Sequence, residues 1–566
     1  MRKKLFFILL IFSAQRLSAQ EYKYLIHFKD KKNNGFSLSN PNLFLSEKSI
    51  HRRVSQGIAI DSTDLPLTQA YIDSLSLVPT VKIFNTSKWF NQILISVTDT
   101  NYLSVILHFS FVLTFKPVNN QNFNKIPGHV SLDQQFVHAE TSSLNVHTGV
   151  NFSETDQLNY GASVNQIHIH HGEFLHNMGF HGEGMTIAIL DDGFNSYLSN
   201  PAFETIRESY RVLGTYDYVN QKISVNEEDI HGSNCFSTLA SNIPGTMIGT
   251  APGASFWLFK TEDVNSETPV EEQNWIAAAE YADSAGADLI TTSLGYSYFD
   301  NPAYNINYAE RDGHSSMISQ AANLCVAKGM IVTASAGNSG EDLTETRYVI
   351  CPADGDSVYA VGAVSADSII AGFSSWGPNA SGQVKPDGVS VGEGAVLVSP
   401  SGDPVTGNGT SYSNPILAGL ISCLWQAFPE FPAHSILDAV RQSSNRFNNP
   451  DAHYGYGLPD FQKAYNILQN KRLNGIAPLQ GNEWFSAFPV PFHGSISVLL
   501  KPSYTGNGSL QLLDVRGKVL LKQTVYTTSG QLLLIELNVN PSLSTGVYFI
   551  RYADPKESKT LKMLKW

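Results

Sequence analysis

Residues 187–193 have the sequence IAILDDG, an apolar run that stops at two carboxylates and a glycine. An unbroken apolar run of this length is typical of a strand buried on both faces of a parallel sheet. In open α/β sheets, ligands bind beyond the carboxyl ends of the strands. The stretch therefore predicts a buried strand that presents Asp191 or Asp192 at the functional edge of a sheet. Taken alone, the DDG sequence is equally typical of a turn.

Strand-like and helix-like runs alternate around this stretch, from about residue 160 to about residue 470. We predict further strands at residues 257–260, 288–293 and 330–334. We predict helices at residues 231–242, 271–285, 316–328 and 411–427. This alternation predicts an α/β fold, in which helices cover both faces of a parallel sheet.

Three more segments of this region contain candidate catalytic residues. His231 opens a predicted helix, Ser411 precedes another in the sequence GNGTS, and Asn338 lies in a glycine-flanked turn. Each has an ordinary interpretation alone: a surface histidine, a helix N-cap and a turn residue. Together with Asp191 they supply a carboxylate, a base, a hydroxyl nucleophile and an amide donor for a developing oxyanion.

These four segments together resemble the motifs of subtilisin-like serine peptidases, in which the chain order Asp, His, Ser differs from that of chymotrypsin-like enzymes and α/β-hydrolases. The resemblance covers about residues 160–470. It implies that Asp191 orients His231, that His231 is the general base, that Ser411 is the nucleophile and that Asn338 binds the oxyanion. The function expected is peptide hydrolysis through an acyl-enzyme.

The sequence departs from the family motifs in two places. Asp192 stands where Ser or Thr is usual, and residues 412–414 (YSN) replace the usual Met-Ala-x before Pro415. The second change predicts different packing behind the nucleophile.

The resemblance also implies a substrate-binding region formed by two segments. The first pairs with the substrate backbone and walls the first specificity pocket, and comprises Ser293, Leu294 and Gly295. The second forms the other wall, and comprises Ser335, Ala336 and Gly337. Because these residues are small or uncharged, we expect the pocket to accept apolar or mid-sized side chains.

Residues 1–19 have the features of a secretory signal peptide: basic residues 2–4, an apolar run at 5–12, and Ala19 before a cleavage site at Gln20. The apolar run is far shorter than the roughly 20 residues that span a bilayer, and no other stretch qualifies as a transmembrane segment.

Residues 20–118 have strand-like and helix-like runs in the order βαββαβ, with helices at 43–53 and 101–109. This is the ferredoxin-like pattern, and it resembles the inhibitory propeptides of subtilisin-like enzymes. Residues 119–159 are polar and without periodicity, which favours a solvated linker where an activating cut falls. Residues 160–475 then form the expected peptidase domain.

Beyond about residue 480 the chain has short alternating strands separated by turns, which predicts a β-sandwich. Residues 484–566 resemble the C-terminal sorting domain of the type IX secretion system, through FPVPF at 488–492, LDVRGK at 513–518 and LSTGVY at 543–548. The resemblance implies export by the type IX machinery to the exterior or the cell surface. A plain accessory or adhesive sandwich is the alternative.

Charge and residue spacing narrow the classes of partner and ligand that this protein binds. A net charge of −13 without a long basic run argues against a nucleic-acid partner. The cysteines at 235, 325, 351 and 423 are compatible with disulfides or with buried thiols, and their spacing is not that of a zinc site. We predict that an extended segment carries His168, His170 and His171, and that these histidines do not form a metal cluster.

We expect no cofactor. Subtilisin-like folds often bind calcium, yet no Asp-rich loop here matches a calcium-ligand pattern. The expected partners are protein or peptide substrates and the type IX machinery, and we expect a monomer. The competing hypothesis is a degenerate subtilase that serves as a binding or adhesion module. Degenerate members usually lose a triad residue, whereas all four positions are filled here.

Overall fold

The computed structural model describes residues 21–119, 156–226, 229–476, 484–539 and 543–565. The predicted signal peptide and most of the predicted linker lie outside the described residues. Within the described ranges, no helix is long and apolar enough to cross a bilayer. The described chain forms an N-terminal domain, a central domain and a C-terminal domain.

The N-terminal domain is a four-stranded sheet with helices. Its elements are β1 (Tyr22–Phe28), α1 (Glu47–Ser55), α2 (Gln69–Ser76), β2 (Lys82–Ser87), β3 (Gln92–Val97), α3 (Tyr102–Leu107) and β4 (Val112–Asn119). The strand order is β2-β3-β1-β4, with antiparallel pairing throughout. This is the predicted ferredoxin-like arrangement.

Helix α2, which precedes β2 in the chain, covers this sheet. The sequence analysis did not predict this helix. Leu75 of α2 packs in one cluster with Ile26, Ile93 and Ile95 of the sheet. The helix predicted at residues 43–53 corresponds to α1, but α1 lies against the central domain instead. Assigning it to the βαββαβ pattern was therefore wrong.

The central domain holds most of the helices and strands. Its elements are α4 (Val164–His168), α5 (Gly172–Asn177), β5 (Thr186–Asp191), α6 (Glu204–Glu208), β6 (Val212–Asp217), α7 (His231–Ala240), β7 (Asn242–Ile243), β8 (Met247–Ile248), β9 (Ser255–Lys260), α8 (Pro269–Ala285), β10 (Leu289–Thr292), α9 (Met317–Ala327), β11 (Ile331–Ser335), β12 (Tyr359–Val364), β13 (Gly388–Val391), β14 (Ala395–Val398), β15 (Pro404–Gly407), α10 (Thr410–Ala427), α11 (Ala433–Ser443) and α12 (Phe461–Ile476).

A seven-stranded parallel sheet forms the centre of this domain, in the order β13-β12-β11-β10-β5-β9-β6. Alternate residues of β5 enter two different cores. Ile187 and Ile189 pack with α7, α10, α11 and α12, and Ala188 and Leu190 pack with α8 and α9. The predicted parallel sheet with helices on both faces is confirmed. Because the strands are parallel, the carboxyl ends of β5, β10 and β11 meet at one edge.

The C-terminal domain contains β16 (Phe485–Phe488), β17 (Ser495–Leu500), β18 (Gly506–Leu513), β19 (Val519–Thr527), β20 (Leu533–Asn538), β21 (Gly546–Ala553) and β22 (Ser558–Lys565). They form two sheets, β16-β17-β20 and β19-β18-β21-β22, with one shared apolar core. The predicted β-sandwich is confirmed. Strands β16 and β22 were not predicted, because prolines follow the first and the second reads as a basic run.

Candidate active site

Asp191 and His231 form a buried pair at the carboxyl edge of the central sheet. Asp191 is the last residue of β5 and His231 is the first residue of α7. Oδ1 of Asp191 accepts a 2.7 Å hydrogen bond from Nδ1 of His231 and a 2.9 Å bond from the Asp192 amide. Because Nδ1 carries the proton in this bond, Nε2 is the basic nitrogen of the neutral ring.

Gly232 allows this close approach of α7 to β5. A Cβ atom at Gly232 would lie 2.3 Å from the carbonyl oxygen of Gly193 and 3.0 Å from Cβ of Asp191. Any larger residue would push the start of α7, and His231 with it, away from Asp191. The glycine after the histidine is therefore required by packing.

The electrostatics of the pair favour a charged imidazole. Burial alone lowers the pKa of His231, but negative charge on Cys235 and on Asp191 raises that pKa well above its ordinary value of 6.5. Burial raises the pKa of the Cys235 thiol to about 11. Since that thiol is neutral near pH 7, Asp191 supplies the stabilising charge.

Asp192 has a different role from its neighbour. Its Oδ1 accepts a 3.2 Å hydrogen bond from the Gly232 amide at the start of α7. Burial, and then the charge of Asp191, raise the pKa of Asp192 well above its ordinary value. Asp192 thus bonds to the start of α7, while Asp191 contacts His231.

Ser411 is the second residue of α10 and is only 2% exposed. Gly409, which precedes the helix, has a φ of +153°, in the region that favours glycine. The Oγ of Ser411 donates a 3.2 Å hydrogen bond to the carbonyl of Ser293. Its carbonyl accepts bonds from Oγ of Ser293 at 2.7 Å and Sγ of Cys235 at 3.3 Å. These contacts fix the start of α10 against the end of β10 and against α7.

Asn338 is oriented by the residue before Ser411. Its Oδ1 accepts 2.8 Å hydrogen bonds from both the amide and the Oγ1 of Thr410. The side-chain amide is planar, so Nδ2 lies on the side away from Thr410. The asparagine therefore has its donor group available beside the start of α10.

The residues after Ser411 that depart from the family motif contact the site from behind the nucleophile. The ring of Tyr412 lies 5.8 Å from that of His231, centroid to centroid. Asn414 is fully buried and donates to Oγ1 of Thr291 at 3.0 Å and to the Thr292 carbonyl at 2.9 Å. Asn414 thus joins α10 to the end of β10, a contact that the sequence analysis did not find.

The two segments predicted to bind substrate lie at the carboxyl ends of neighbouring strands, β10 and β11, and a third segment lies between them. The Ile350 amide donates a 3.2 Å bond to the Ala336 carbonyl, and the Tyr296 amide donates a 2.7 Å bond to the Cys351 carbonyl. A Cβ atom at Gly295 would lie 2.2 Å from Cδ1 of Ile350. Ile350 therefore contributes to this region. No motif in the sequence pointed to it.

Among the described residues, Cys235 lies within 4.8 Å of the Asp191 and His231 ligand atoms, whereas the other predicted candidate ligands lie apart. All four cysteines are buried and free. The prediction that the three histidines lie on an extended segment was wrong, because His168 ends α4 and the other two lie in the following turn. They contact separate groups: Asp156 for His168, Ser390 and the Pro459 carbonyl for His170, and Asp460 for His171.

One acidic cluster in the described part of the chain brings together Glu262, Glu267 and Glu271. Glu262 accepts a hydrogen bond from the hydroxyl of Tyr296. Glu271 accepts bonds from the amides of Thr268 and Asp263, at 2.6 Å and 3.2 Å. Because these carboxylates already accept bonds within the protein, we assign no metal to them.

Comparison with known families agrees with this geometry. Residues 182–457 match the subtilase family (peptidase S8), residues 23–131 match the peptidase S8 propeptide domain of Bacteroidota, and residues 486–565 match a secretion system C-terminal sorting domain.

Similar proteins are themselves subtilisins and related proteases. Subtilisin DY of Bacillus licheniformis is 29% identical over 289 residues, which are 50% of this chain and 92% of that protein. Subtilisin E of Bacillus subtilis (strain 168) is 28% identical over 293 residues, 51% of this chain and 68% of that protein. Serine protease AprX of the same organism is 26% identical over 315 residues, 50% of this chain and 66% of that protein. The chain is a secreted serine endopeptidase with a peptidase domain of the subtilase family, an N-terminal peptidase S8 propeptide and a C-terminal type IX sorting domain.

Proposed function

We propose that Asp191, His231 and Ser411 are the catalytic triad of this endopeptidase and that Asn338 is an oxyanion donor. The observation that carries the proposal is the buried 2.7 Å hydrogen bond between Asp191 and His231. Ser411 and Asn338 lie at the same edge of the sheet and are joined through Thr410. Four chemically complementary groups from four separate segments support one site rather than four structural roles.

In the proposed reaction, Oγ of Ser411 attacks the peptide carbonyl while Nε2 of His231 takes the Oγ proton. Ser411 first turns away from the Ser293 carbonyl, to which its Oγ donates in the structure. The negative oxygen of the tetrahedral intermediate accepts hydrogen bonds from Nδ2 of Asn338 and the amide of Ser411.

Collapse of the intermediate breaks the C–N bond, and His231 gives its proton to the leaving amine. Water then attacks the acyl-enzyme while His231 takes a proton from it. The ester bond to Ser411 breaks, the carboxylic acid leaves, and His231 returns the proton to Oγ of Ser411. Asp191 keeps the imidazole in the tautomer that this requires and stabilises its charged form. The reaction uses protein groups and water alone. Calcium has no assigned role in it.

For substrate binding, we propose that the backbone of residues 293–295 pairs with the substrate and that residues 335–337 form the other wall of the first specificity pocket. Ile350 supports this assignment, because its side chain adds an apolar surface between the two segments. An apolar or mid-sized side chain next to the cleaved bond fits such a pocket.

We further propose that residues 20–118 are the inhibitory propeptide, residues 160–475 the peptidase domain and residues 484–566 the sorting domain, and that the enzyme acts as a monomer. An inactive binding module is the competing function. Since all four site residues are present, Asp191 is bonded to His231 and Asn338 is bonded to the residue before Ser411, the observations favour the enzyme.

Labelling with a fluorophosphonate probe tests the proposal directly. The matured protein is expected to label at Ser411, and a Ser411→Ala variant is expected not to label. Absence of label on folded protein freed of its propeptide would support the inactive module instead.

A further inference from the structure

Helix α1 of the propeptide contacts the central sheet at the edge opposite the proposed active site. Nζ of Lys48 donates to the Gly184 carbonyl at 3.1 Å and to Oγ1 of Thr186 at 2.7 Å, at the start of β5. Arg52 donates from Nε to the Lys328 carbonyl at 3.2 Å, shortly before β11, and from Nη1 to the Ala287 carbonyl, before β10. These are the amino ends of three adjacent parallel strands.

Asp191 lies at the other end of β5, five residues from Thr186. At about 3.3 Å per residue, the two ends of this strand are roughly 16 Å apart. The contacts of α1 are therefore separate from the active-site edge, where Ser411 and Asn338 lie.

Two arginines of α1 are buried in this interface. Nη2 of Arg53 lies 2.7 Å from Oδ1 of Asp64 and 2.8 Å from Oδ2 of Asp283, and all three side chains are fully buried. Nη2 of Arg52 lies 2.5 Å from Oδ1 of Asp283. Nζ of Lys328 reaches back from the peptidase to Oδ2 of Asp64 at 3.1 Å. We call these five residues the arginine clasp.

The clasp joins the two domains in both directions. Arginines of the propeptide contact Asp283 of α8, and Lys328 of the peptidase contacts Asp64 of the propeptide. When one partner of a buried, hydrogen-bonded charge pair is removed, the other is left buried and unpaired, and the dissociation rate rises. Loss of Arg53 would take one cationic partner from each of two buried carboxylates. Asp283 would keep Arg52, with Lys88 at 3.6 Å, and Asp64 would keep Lys328.

We propose that the arginine clasp is a second anchor of the propeptide, which keeps it on the peptidase after the connecting chain has been cut. Departure of the propeptide then requires separation of the clasp at the amino edge of the sheet as well as of the contacts between its sheet and α8, such as those of Asn85 with Asn274 and of Ser87 with Glu280. The clasp thereby sets how long the cut precursor stays inhibited. This inference rests on the assignment of residues 20–118 as an inhibitory propeptide.

The test uses the full chain carrying Ser411→Ala, so that no self-digestion occurs, with a recognition sequence for a foreign protease inserted between residues 119 and 156. After cleavage, the dissociation rate of the propeptide is followed by size-exclusion chromatography over time. We expect Arg53→Met to release its propeptide about 30-fold faster or more than the Ser411→Ala parent. The matched control is His51→Ala, an exposed position on the same helix, which is expected to behave as the parent.

Equal release rates for Arg53→Met and the parent would overturn the proposal. If the Arg53→Met precursor does not fold, Lys328→Met replaces it. Lys328 is the buried clasp residue of the peptidase, 3.1 Å from Asp64, and its loss is expected to speed release by about tenfold. Unchanged release in that variant would then overturn the proposal. Neither readout depends on catalysis, so a failure here is distinguishable from an error in the triad.

Discussion

The side-chain oxygen of Asn338 accepts two hydrogen bonds from Thr410, the residue immediately before Ser411. This contact makes the orientation of the proposed oxyanion donor depend on the segment that carries the proposed nucleophile. Donor and nucleophile are thus held as one unit, although they are 73 residues apart, from 411 − 338.

Replacing Asn338 removes the side-chain donor and is expected to lower kcat by about 10²- to 10³-fold with little change in KM. Asn338→Asp is a more specific test of the donor than Asn338→Ala, because its carboxylate still accepts both hydrogen bonds from Thr410 but has no N–H to donate. Steady-state kinetics on a chromogenic peptide measure both. Full kcat in Asn338→Asp would contradict the assigned role.

Ser411→Ala is expected to lower kcat by about 10⁶-fold, because no other group replaces the nucleophile. Ser422→Ala, about three turns further along the same helix and bonded to the Gly419 carbonyl, serves as the control and is expected to keep wild-type kcat. Equal activity of the two variants would place the nucleophile elsewhere.

The pH profile reports on His231. Its pKa is raised above 6.5, and only the neutral ring accepts a proton, so kcat/KM is expected to fall with decreasing pH along a limb centred above pH 6.5.

The Asp191→Asn variant tests the source of this shift, because it removes the stabilising charge. The acidic limb should move to lower pH, and kcat should fall by about 10⁴-fold. Cys235→Ala is the control, because its thiol is neutral over this range and the limb should not move. An unmoved limb in Asp191→Asn would exclude Asp191 as the source of the shift.

Asp192→Asn tests whether this neighbour is a neutral acid. Asparagine keeps an oxygen for the Gly232 amide, so kcat/KM is expected to change by less than about tenfold, or 1.36 kcal/mol. The pKa of Asp192 is raised in the folded protein, so the folded wild type binds this proton more tightly than the unfolded chain does. The stability that results is lost as the pH rises through the folded-state pKa. The Tm of the variant relative to the wild type should therefore increase with pH. A constant difference would contradict the raised pKa.

Deletion of residues 484–566 is expected to leave the peptidase in the periplasm. The C-terminal sandwich has its own apolar core, so its removal is expected to leave the fold of the peptidase domain intact. Cell fractionation with an activity assay on each fraction measures the outcome. Normal appearance of the shortened protein outside the cell would refute the sorting role.

The sequence predicted the central sheet and the four site residues because their signals are local. An apolar run that ends in a carboxylate, a histidine at a helix start and a serine after glycines are each visible within a few residues. Parallel strand order then requires that residues following β5, β10 and β11 lie at the same edge. The β-sandwich was visible for the same reason, through the alternation of its strands.

Other features exist only through contacts between distant segments. Nothing near residue 52 or 53 indicates that these arginines are buried against Asp283, 230 residues further on, and α1 by itself has the pattern of an ordinary amphipathic helix. Ile350 and Asn414 likewise take their positions from neighbours across the sheet.

The sequence by itself determined the fold class and the order of the chemical groups, because these follow from local patterns and strand direction, and its resemblance to a known family indicated the class of reaction. Only the tertiary structure decided what Asp192 contacts, how Thr410 turns Asn338, and where the propeptide is held. Each of these depends on distances of about 3 Å between segments far apart in the chain, and hydrogen bonds and ion pairs weaken too steeply with distance for sequence patterns to specify them.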